Sequence, residues 1–245
     1  MNQKTAANKL PIVAIMGPTA SGKTELAIRM AKQLGGEVIC ADSRTIYKGM
    51  DIGTAKPTRA EMRGVPHHML DLVEPGEHYS IYKFKREVYE LIDDIRGRGK
   101  IPFLVGGSGL YLYTVLFDYD FDEPGCRDEL IPNCVAVGIE VEKEVLRQRI
   151  SERFTKMLEA GFEKEVKTLV AKYGSDCPQL KRNSYGEMQR YLQGEITKGE
   201  LLERAEIIDW QLAKKQRTWF RQKRDQVRWL SLEEAERHLA GAFQE

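Results

Sequence analysis

The sequence predicts an α/β fold: a parallel sheet flanked by helices, with a mostly helical C-terminal half. Three observations predict it. Over the first 140 of 245 residues, short apolar runs alternate with stretches of helical periodicity, the pattern of strands joined by crossover helices. The run 12–16 ends in Gly17-Pro18-Thr19-Ala20-Ser21-Gly22-Lys23-Thr24, a G-x-x-x-x-G-K-T loop that requires a strand before it and a helix after it. From Glu142 onward helical spacing dominates, interrupted by one apolar run at 227–230. One domain spanning 1–245 is expected, with 10–140 as a phosphate-binding core and 141–245 as a helical part packed on it.

The loop comes first because its chemistry is local. Gly17 and Gly22 let the backbone curl so that successive N–H groups point at an anion. Lys23 adds a positive charge, and the Thr24 hydroxyl can reach a metal bound to the phosphates. The following helix starts here, so its positive end faces the same anion. Leu26, Ala27, Met30 and Leu34 give that helix an apolar stripe, and Gly35-Gly36 should stop it. The loop identifies a phosphate or diphosphate ligand and leaves the rest of that ligand open.

A second strand, 37–41, ends at Asp42-Ser43-Arg44. Ligands of open parallel sheets sit beyond the carboxyl ends of strands, so Asp42 should land near the loop as a magnesium ligand, a general base or a turn-forming residue. Residues 45–57 read as an extended loop bordering the site. In Pro66-His67-His68, adjacent histidines point to different faces, which favours a structural or substrate-contact role over metal binding. Ser80 caps a helix with Ile81, Phe84, Val88, Leu91, Ile92 and Ile95 on one stripe, ended by Gly97 and Gly99. A third strand, 101–105, runs into Gly106-Gly107-Ser108-Gly109, a second candidate anion cradle, and a helix over 110–116.

Residues 117–132 are acidic and turn-like, and 134–139 form a fourth strand. A helix over 142–160 should turn Val145, Leu146, Ile150, Phe154, Met157 and Leu158 inward while carrying Arg147, Arg149 and Arg153. Gly161 breaks it, another helix runs to about Tyr173, and a short one covers 187–192. Thr197-Lys198-Gly199-Glu200 is a capping box for a helix reaching Gln222, and Ser231-Leu232-Glu233-Glu234 opens a terminal helix.

Composition excludes several classes. Hydrophobic residues are 42% and charged residues 31%, and no apolar run reaches the ~18 residues of a membrane span. Residues 1–9 are polar, which fits a frayed tail and not a secretory signal. Cys40, Cys126, Cys134 and Cys177 form no C-x-x-C pair, which argues against zinc and fits a reducing cytoplasm. With a net charge of +1, any nucleic-acid argument must be local. The one basic concentration is Lys214, Lys215, Arg217, Arg221, Lys223, Arg224 and Arg228, interleaved with Trp210, Trp219, Phe220 and Trp229. It reads equally as a nucleic-acid surface or as a solvated helix face over a tryptophan-rich core.

Taken together, the loop at 17–24, Asp42-Ser43-Arg44, Ile46-Tyr47-Lys48-Gly49-Met50-Asp51-Ile52-Gly53-Thr54-Ala55-Lys56-Pro57, Pro66-His67-His68 and Val105-Gly106-Gly107-Ser108-Gly109-Leu110-Tyr111 resemble the tRNA dimethylallyltransferases. Arg149-Ile150-Ser151-Glu152-Arg153-Phe154, Met157-Leu158-Glu159-Ala160-Gly161-Phe162, Tyr191-Leu192-Gln193-Gly194-Glu195-Ile196 and Gln211-Leu212-Ala213-Lys214-Lys215-Gln216 continue the resemblance in order, over roughly 10–116 and 134–230. It implies a P-loop NTPase-like fold and transfer of a dimethylallyl group from dimethylallyl diphosphate to N6 of an adenosine beside the anticodon. It also implies that Gly17, Pro18, Thr19, Ala20, Ser21, Gly22, Lys23, Thr24 and Arg153 hold the diphosphate with Mg2+ on Thr24. Asp42 would be the base and Ser108 a diphosphate hydrogen-bond donor. Ser43, Arg44, Thr45, Lys214, Lys215 and Arg221 would meet the tRNA anticodon arm.

The chain departs from that family in one large respect. The family's inserted helical domain has no counterpart, because only about twenty residues separate Leu116 from Val137. The short relatives that prenylate free adenine nucleotides are therefore the alternative, followed by a small-molecule kinase and a non-catalytic nucleotide-binding module. The expected protein is a monomer without membrane contact.

Overall fold

The computed structural model describes residues 10–119, 129–222 and 224–243. The tail at 1–9, Cys126, most of the acidic turn, Lys223 and the Arg224 side chain lie outside what is described. Six strands form one sheet in the order β3-β2-β4-β1-β5-β6, with every pairing parallel. They are β1 (Ile12–Met16), β2 (Gly36–Ala41), β3 (His67–His68), β4 (Ile101–Gly106), β5 (Cys134–Ile139) and β6 (Arg228–Leu230).

Side chains alternate between the two faces of the sheet. Ala14, Met16, Ile39, Ala41 and Leu104 turn to one face. There α3 (Ile81–Gly97) covers them with Phe84, Val88 and Ile92, and α4 (Gly109–Leu116) with Leu112 and Val115. Val13, Ile15, Val38, Phe103 and Val137 turn to the other face. That face is covered by Leu26 and Met30 of α1 (Lys23–Leu34) and by Ala235 and Leu239 of α9 (Leu232–Gly241).

Local signals explain where the elements stop. Gly35 ends α1 in the left-handed conformation, φ 67°. Gly36 takes no part in that stop; it is the first residue of β2, where a Cβ would run into the Phe103 ring. The Ser80 side chain accepts from Lys83 N–H at the start of α3. A short helix, α2 (Arg59–Met62), carries a capping box of Thr58 and Glu61. Capping boxes also start α8 (Lys198–Arg221) and α9.

The helices after β5 divide between two packings. α9 and the end of α8, through Phe220, cover the sheet. α5 (Lys143–Glu159), α6 (Phe162–Tyr173), α7 (Asn183–Leu192) and the first part of α8 bury a separate cluster that includes Phe154, Phe162, Tyr185, Met188 and Leu201, with Met50 inserted from the 45–57 loop. In α5 the buried stripe is Leu146, Ile150, Phe154 and Met157; Val145 falls one residue off it and is 41% exposed, contrary to expectation. α7 starts four residues before the expected Glu187, because burial of Ser184 and Tyr185 outweighs the weak helix propensity around Gly186. No helix among the described residues is long and apolar enough to cross a membrane.

Candidate active site

The strand order reverses around β1, and the loop from Met16 to Lys23 leaves its carboxyl end at that switch point. Gly22 and Ala20 both have positive φ, 87° and 60°, which gives the loop its curl. Gly17 leaves little room for a side chain, since a Cβ there would lie 2.9 Å from Ser21 Oγ and 3.3 Å from Ile139 Cβ. Pro18 receives the Lys23 ammonium on its carbonyl at 3.1 Å. Burial lowers the Lys23 pKa to about 8, Arg153 pushes it the same way, and Asp42 opposes both. An arriving polyanion reverses that imbalance.

A cavity of about 230 Å³ opens in front of the loop. Thr19, Ala20, Gly22, Lys23 and Thr24 form its phosphate side. Asp42, Arg44 and Thr45, at the carboxyl end of β2, form the facing side. Val38, Cys40, Val105 and Leu212 supply an apolar wall. The Cys40 thiol is pushed up to about 12 by burial and by the Asp42 charge, so it stays neutral. Arg44 Nη2, Thr45 Oγ1 and Arg153 Nε are buried with no hydrogen-bond partner among the described residues, leaving them for a ligand or solvent.

Asp42 forms the turn weighed from the sequence and also lines the cavity. Its Oδ1 accepts from Arg44 N–H at 2.8 Å, a turn-forming bond, and its carboxylate still lines the cavity. Ser43 N–H donates to Ser108 Oγ at 3.2 Å, which ties the end of β2 to the loop after β4. The glycines of that second loop serve packing: a Cβ on Gly107 would meet Gln216, one on Gly109 would meet the Trp219 indole, and one on Gly106 would meet the Ala41 carbonyl.

Helix α8 contributes residues that sequence reasoning missed. Arg153 reaches the cavity from α5, held by a 2.6 Å bond from its Nη2 to Asp209 Oδ2, whose side chain is 3% exposed. Gln216 Oε1 accepts from Thr19 N–H at 2.8 Å inside the phosphate loop. Asp209, Leu212 and Gln216 are spaced three and four apart, so they share one face of α8. That spacing is the one signal in the sequence, and it does not tell which face of the helix turns toward the site. On the other sides of the helix Lys214, Lys215 and Arg221 are exposed and lie outside the cavity.

His67 and His68 are both engaged within the fold. His67 Nδ1 is hydrogen-bonded to the Val65 carbonyl at 2.9 Å, and His68 Nε2 to the buried Glu37 at 2.8 Å. Arg98 completes the Glu37 cluster. Among the described residues no group of three or more His, Cys, Asp or Glu is arranged to hold a metal.

This geometry agrees with the comparisons to known proteins. The family described as IPP transferase matches residues 45–132 and 127–223. The tRNA dimethylallyltransferase of Bacillus subtilis is 34% identical over 288 aligned positions, covering 91% of each chain. That alignment is longer than this 245-residue chain, so the relative carries segments absent here. Among solved structures, the full-length tRNA isopentenylpyrophosphate transferase of Bacillus halodurans superposes with a TM-score of 0.82 at 32% identity, covering 95% of this chain and 96% of its own. The tRNA Δ2-isopentenylpyrophosphate transferase of Staphylococcus epidermidis gives 0.79 at 31%, covering 91% and 94%. With a six-stranded parallel sheet, a phosphate loop at its switch point and matches of this extent, the chain belongs to the IPP transferase family of prenyl-transferring enzymes.

Proposed function

We propose that the protein transfers the dimethylallyl group of dimethylallyl diphosphate to N6 of an adenosine next to the anticodon of tRNA, working as a single-domain monomer in the cytoplasm. One observation carries the reading: cationic groups, a carboxylate and an apolar patch of Val38, Cys40, Val105 and Leu212 line the same cavity. That patch offers the five-carbon chain of the donor a place beside its diphosphate.

The loop amides, Lys23 and Arg153 hold the diphosphate, and Ser108 extends that hydrogen bonding from the second loop. As the allylic C–O bond breaks, negative charge grows on the leaving diphosphate, where these groups stabilise it most. The N6 lone pair, delocalised into the adenine ring, forms the new C–N bond while Asp42 takes the N6 proton. Ser43, Arg44 and Thr45 line the approach of the base, which must leave its stack to enter. Lys214, Lys215 and Arg221 meet the RNA backbone outside.

Thr24 presents a hydroxyl oxygen to the cavity, a hard donor that would hold Mg2+ beside the bound diphosphate. Bound there, the ion would neutralise charge on the leaving group. The test is transfer from dimethylallyl diphosphate to an anticodon stem-loop or to AMP at equal concentration. Faster modification of the stem-loop is expected. Faster modification of AMP assigns the protein to the adenylate enzymes, and ATP turnover without transfer to either acceptor assigns it to the kinases.

A further inference from the structure

The phosphate side of the cavity is one continuous loop, but the facing side has a support that neither motif nor family name assigns. Glu165, in the first turn of α6, accepts three consecutive backbone N–H groups: Asp51 at 3.0 Å, Ile52 at 2.7 Å and Gly53 at 3.1 Å. The same carboxylate accepts from Tyr185 Oη at 2.6 Å. Tyr185 is fully buried, and Phe162 packs edge-on against its ring with 5.0 Å between centroids. The Arg44 guanidinium lies over that ring, 5.9 Å from its centroid.

These contacts form a chain from the helical half to the cavity. Gly53 and Arg44 both line the cavity, and both are held by the pair Glu165–Tyr185. Gly53 admits no side chain, since a Cβ there would overlap the Phe162 and Tyr185 rings. Burial and the Glu165 charge raise the Tyr185 pKa, so the phenol stays protonated and remains a donor. Lys56 Nζ closes the far end of the loop by donating to Tyr47 O, Asp51 Oδ1 and Asp71 Oδ1. The loop is therefore tethered at both ends, with its middle fixed by a carboxylate from another part of the chain.

We propose that Glu165 and Tyr185 are positioning residues for the acceptor: they hold Arg44 and the 51–53 backbone in the conformation that receives the adenosine. The proposal rests on the transferase reading above. It predicts a one-sided effect, because the hydrogen bonds of Glu165 and the ring contacts of Tyr185 run to residues 51–53, Phe162 and Arg44, and not to the phosphate loop or Arg153. Loss of a positioning contact acts on the substrate it positions and can cost up to about 100-fold when geometry shifts by an ångström.

The test is steady-state kinetics of Glu165→Gln and Tyr185→Phe, varying each substrate in turn, with the thermal midpoint measured alongside. Glu165→Gln turns an amide N–H2 toward backbone donors and should raise the acceptor KM about 10-fold or more while leaving the dimethylallyl diphosphate KM within about twofold. Tyr185→Phe keeps the ring under Arg44 and removes only the bond to Glu165, so a smaller rise, about threefold, is expected, again confined to the acceptor. If Glu165→Gln does not fold, the Tyr185→Phe result decides. A fall in kcat that tracks the folded fraction with both KM values unchanged overturns the proposal, as does an equal rise in both KM values. Where the unaltered protein transfers only to AMP, the same split is read with AMP. Where it transfers to no acceptor, the transferase reading fails, and this proposal with it; a working enzyme without the split defeats this proposal alone.

Discussion

The two sides of the cavity are built in opposite ways. The phosphate side is eight consecutive residues whose backbone conformation is set by Gly22 and by the tight fit of Gly17 against Ser21. The facing side draws on the end of β2, the 45–57 loop, α6 and α7, so that a bond such as Ile52 N–H to Glu165 spans 113 residues. The first is shaped mainly within its own segment, with Gln216 and Arg153 reaching it from α8 and α5; the second is assembled from distant segments throughout. Damage to the phosphate side should therefore act on the donor alone, and damage to the facing side on the acceptor and on proton transfer.

The sharpest test of that division is Asp42. Removing a general base costs about 10²–10⁴ in rate. Asp42→Ala should lose turnover on that scale while binding dimethylallyl diphosphate normally. Because Oδ1 also supports the turn at Arg44, Asp42→Asn separates the roles: it keeps a turn acceptor and loses the base. Equal loss of turnover in both variants assigns the effect to proton transfer, whereas recovery in Asp42→Asn assigns it to the turn.

On the phosphate side, Lys23→Ala and Arg153→Ala should each weaken donor binding by about 1.5–3 kcal/mol, the worth of a charge-assisted hydrogen bond. Titration with dimethylallyl diphosphate measures it. Unchanged affinity in both variants means that the diphosphate is held elsewhere. Acceptor binding that weakens as much as donor binding breaks the division between the two sides.

A pH profile gives a finer reading of the same side. The Lys23 pKa is lowered to about 8, chiefly by burial. The charged form binds the diphosphate, so donor affinity should be flat below pH 8 and decline by up to tenfold per unit above it. Lys23→Arg, which stays charged, should flatten the decline. A decline that persists in Lys23→Arg belongs to another group.

How much of this was legible follows from the same contrast. The five apolar strands, the phosphate loop and the capping boxes at Thr197 and Ser231 depend on neighbours in sequence, and their residues announce them; the two-residue β3 and the order of the strands rest on distant pairing and were not read. Asp42 was placed by a rule about strand ends. Asp209, Gln216, Glu165 and Tyr185 were not identified, because each acts through a partner between 20 and 197 positions away, and nothing local marks a carboxylate that will meet a distant amide. Val145 was misplaced for a simpler reason: it sits beside Leu146 on α5, and only packing decides which of two adjacent apolar residues faces inward.

The smallest expected effect concerns the outer face of α8. Lys214, Lys215 and Arg221 are exposed, and on the same helix Asp209 and Gln216 hold Arg153 and the phosphate loop. One rigid element thus separates a solvent-facing basic surface from contacts inside the site. If those three cations meet phosphates, stem-loop affinity should fall with salt by about one unit of log–log slope per contact. Reversing the three charges should flatten the slope by up to about three units and leave dimethylallyl diphosphate affinity unchanged, because none of them lines the cavity. A slope that survives the reversal places the RNA on another surface and makes this a solvated helix face. A loss of donor affinity in the same variant would show that α8 does not insulate its inner face from its outer one, and the separation of the two sides would fail at the helix that joins them.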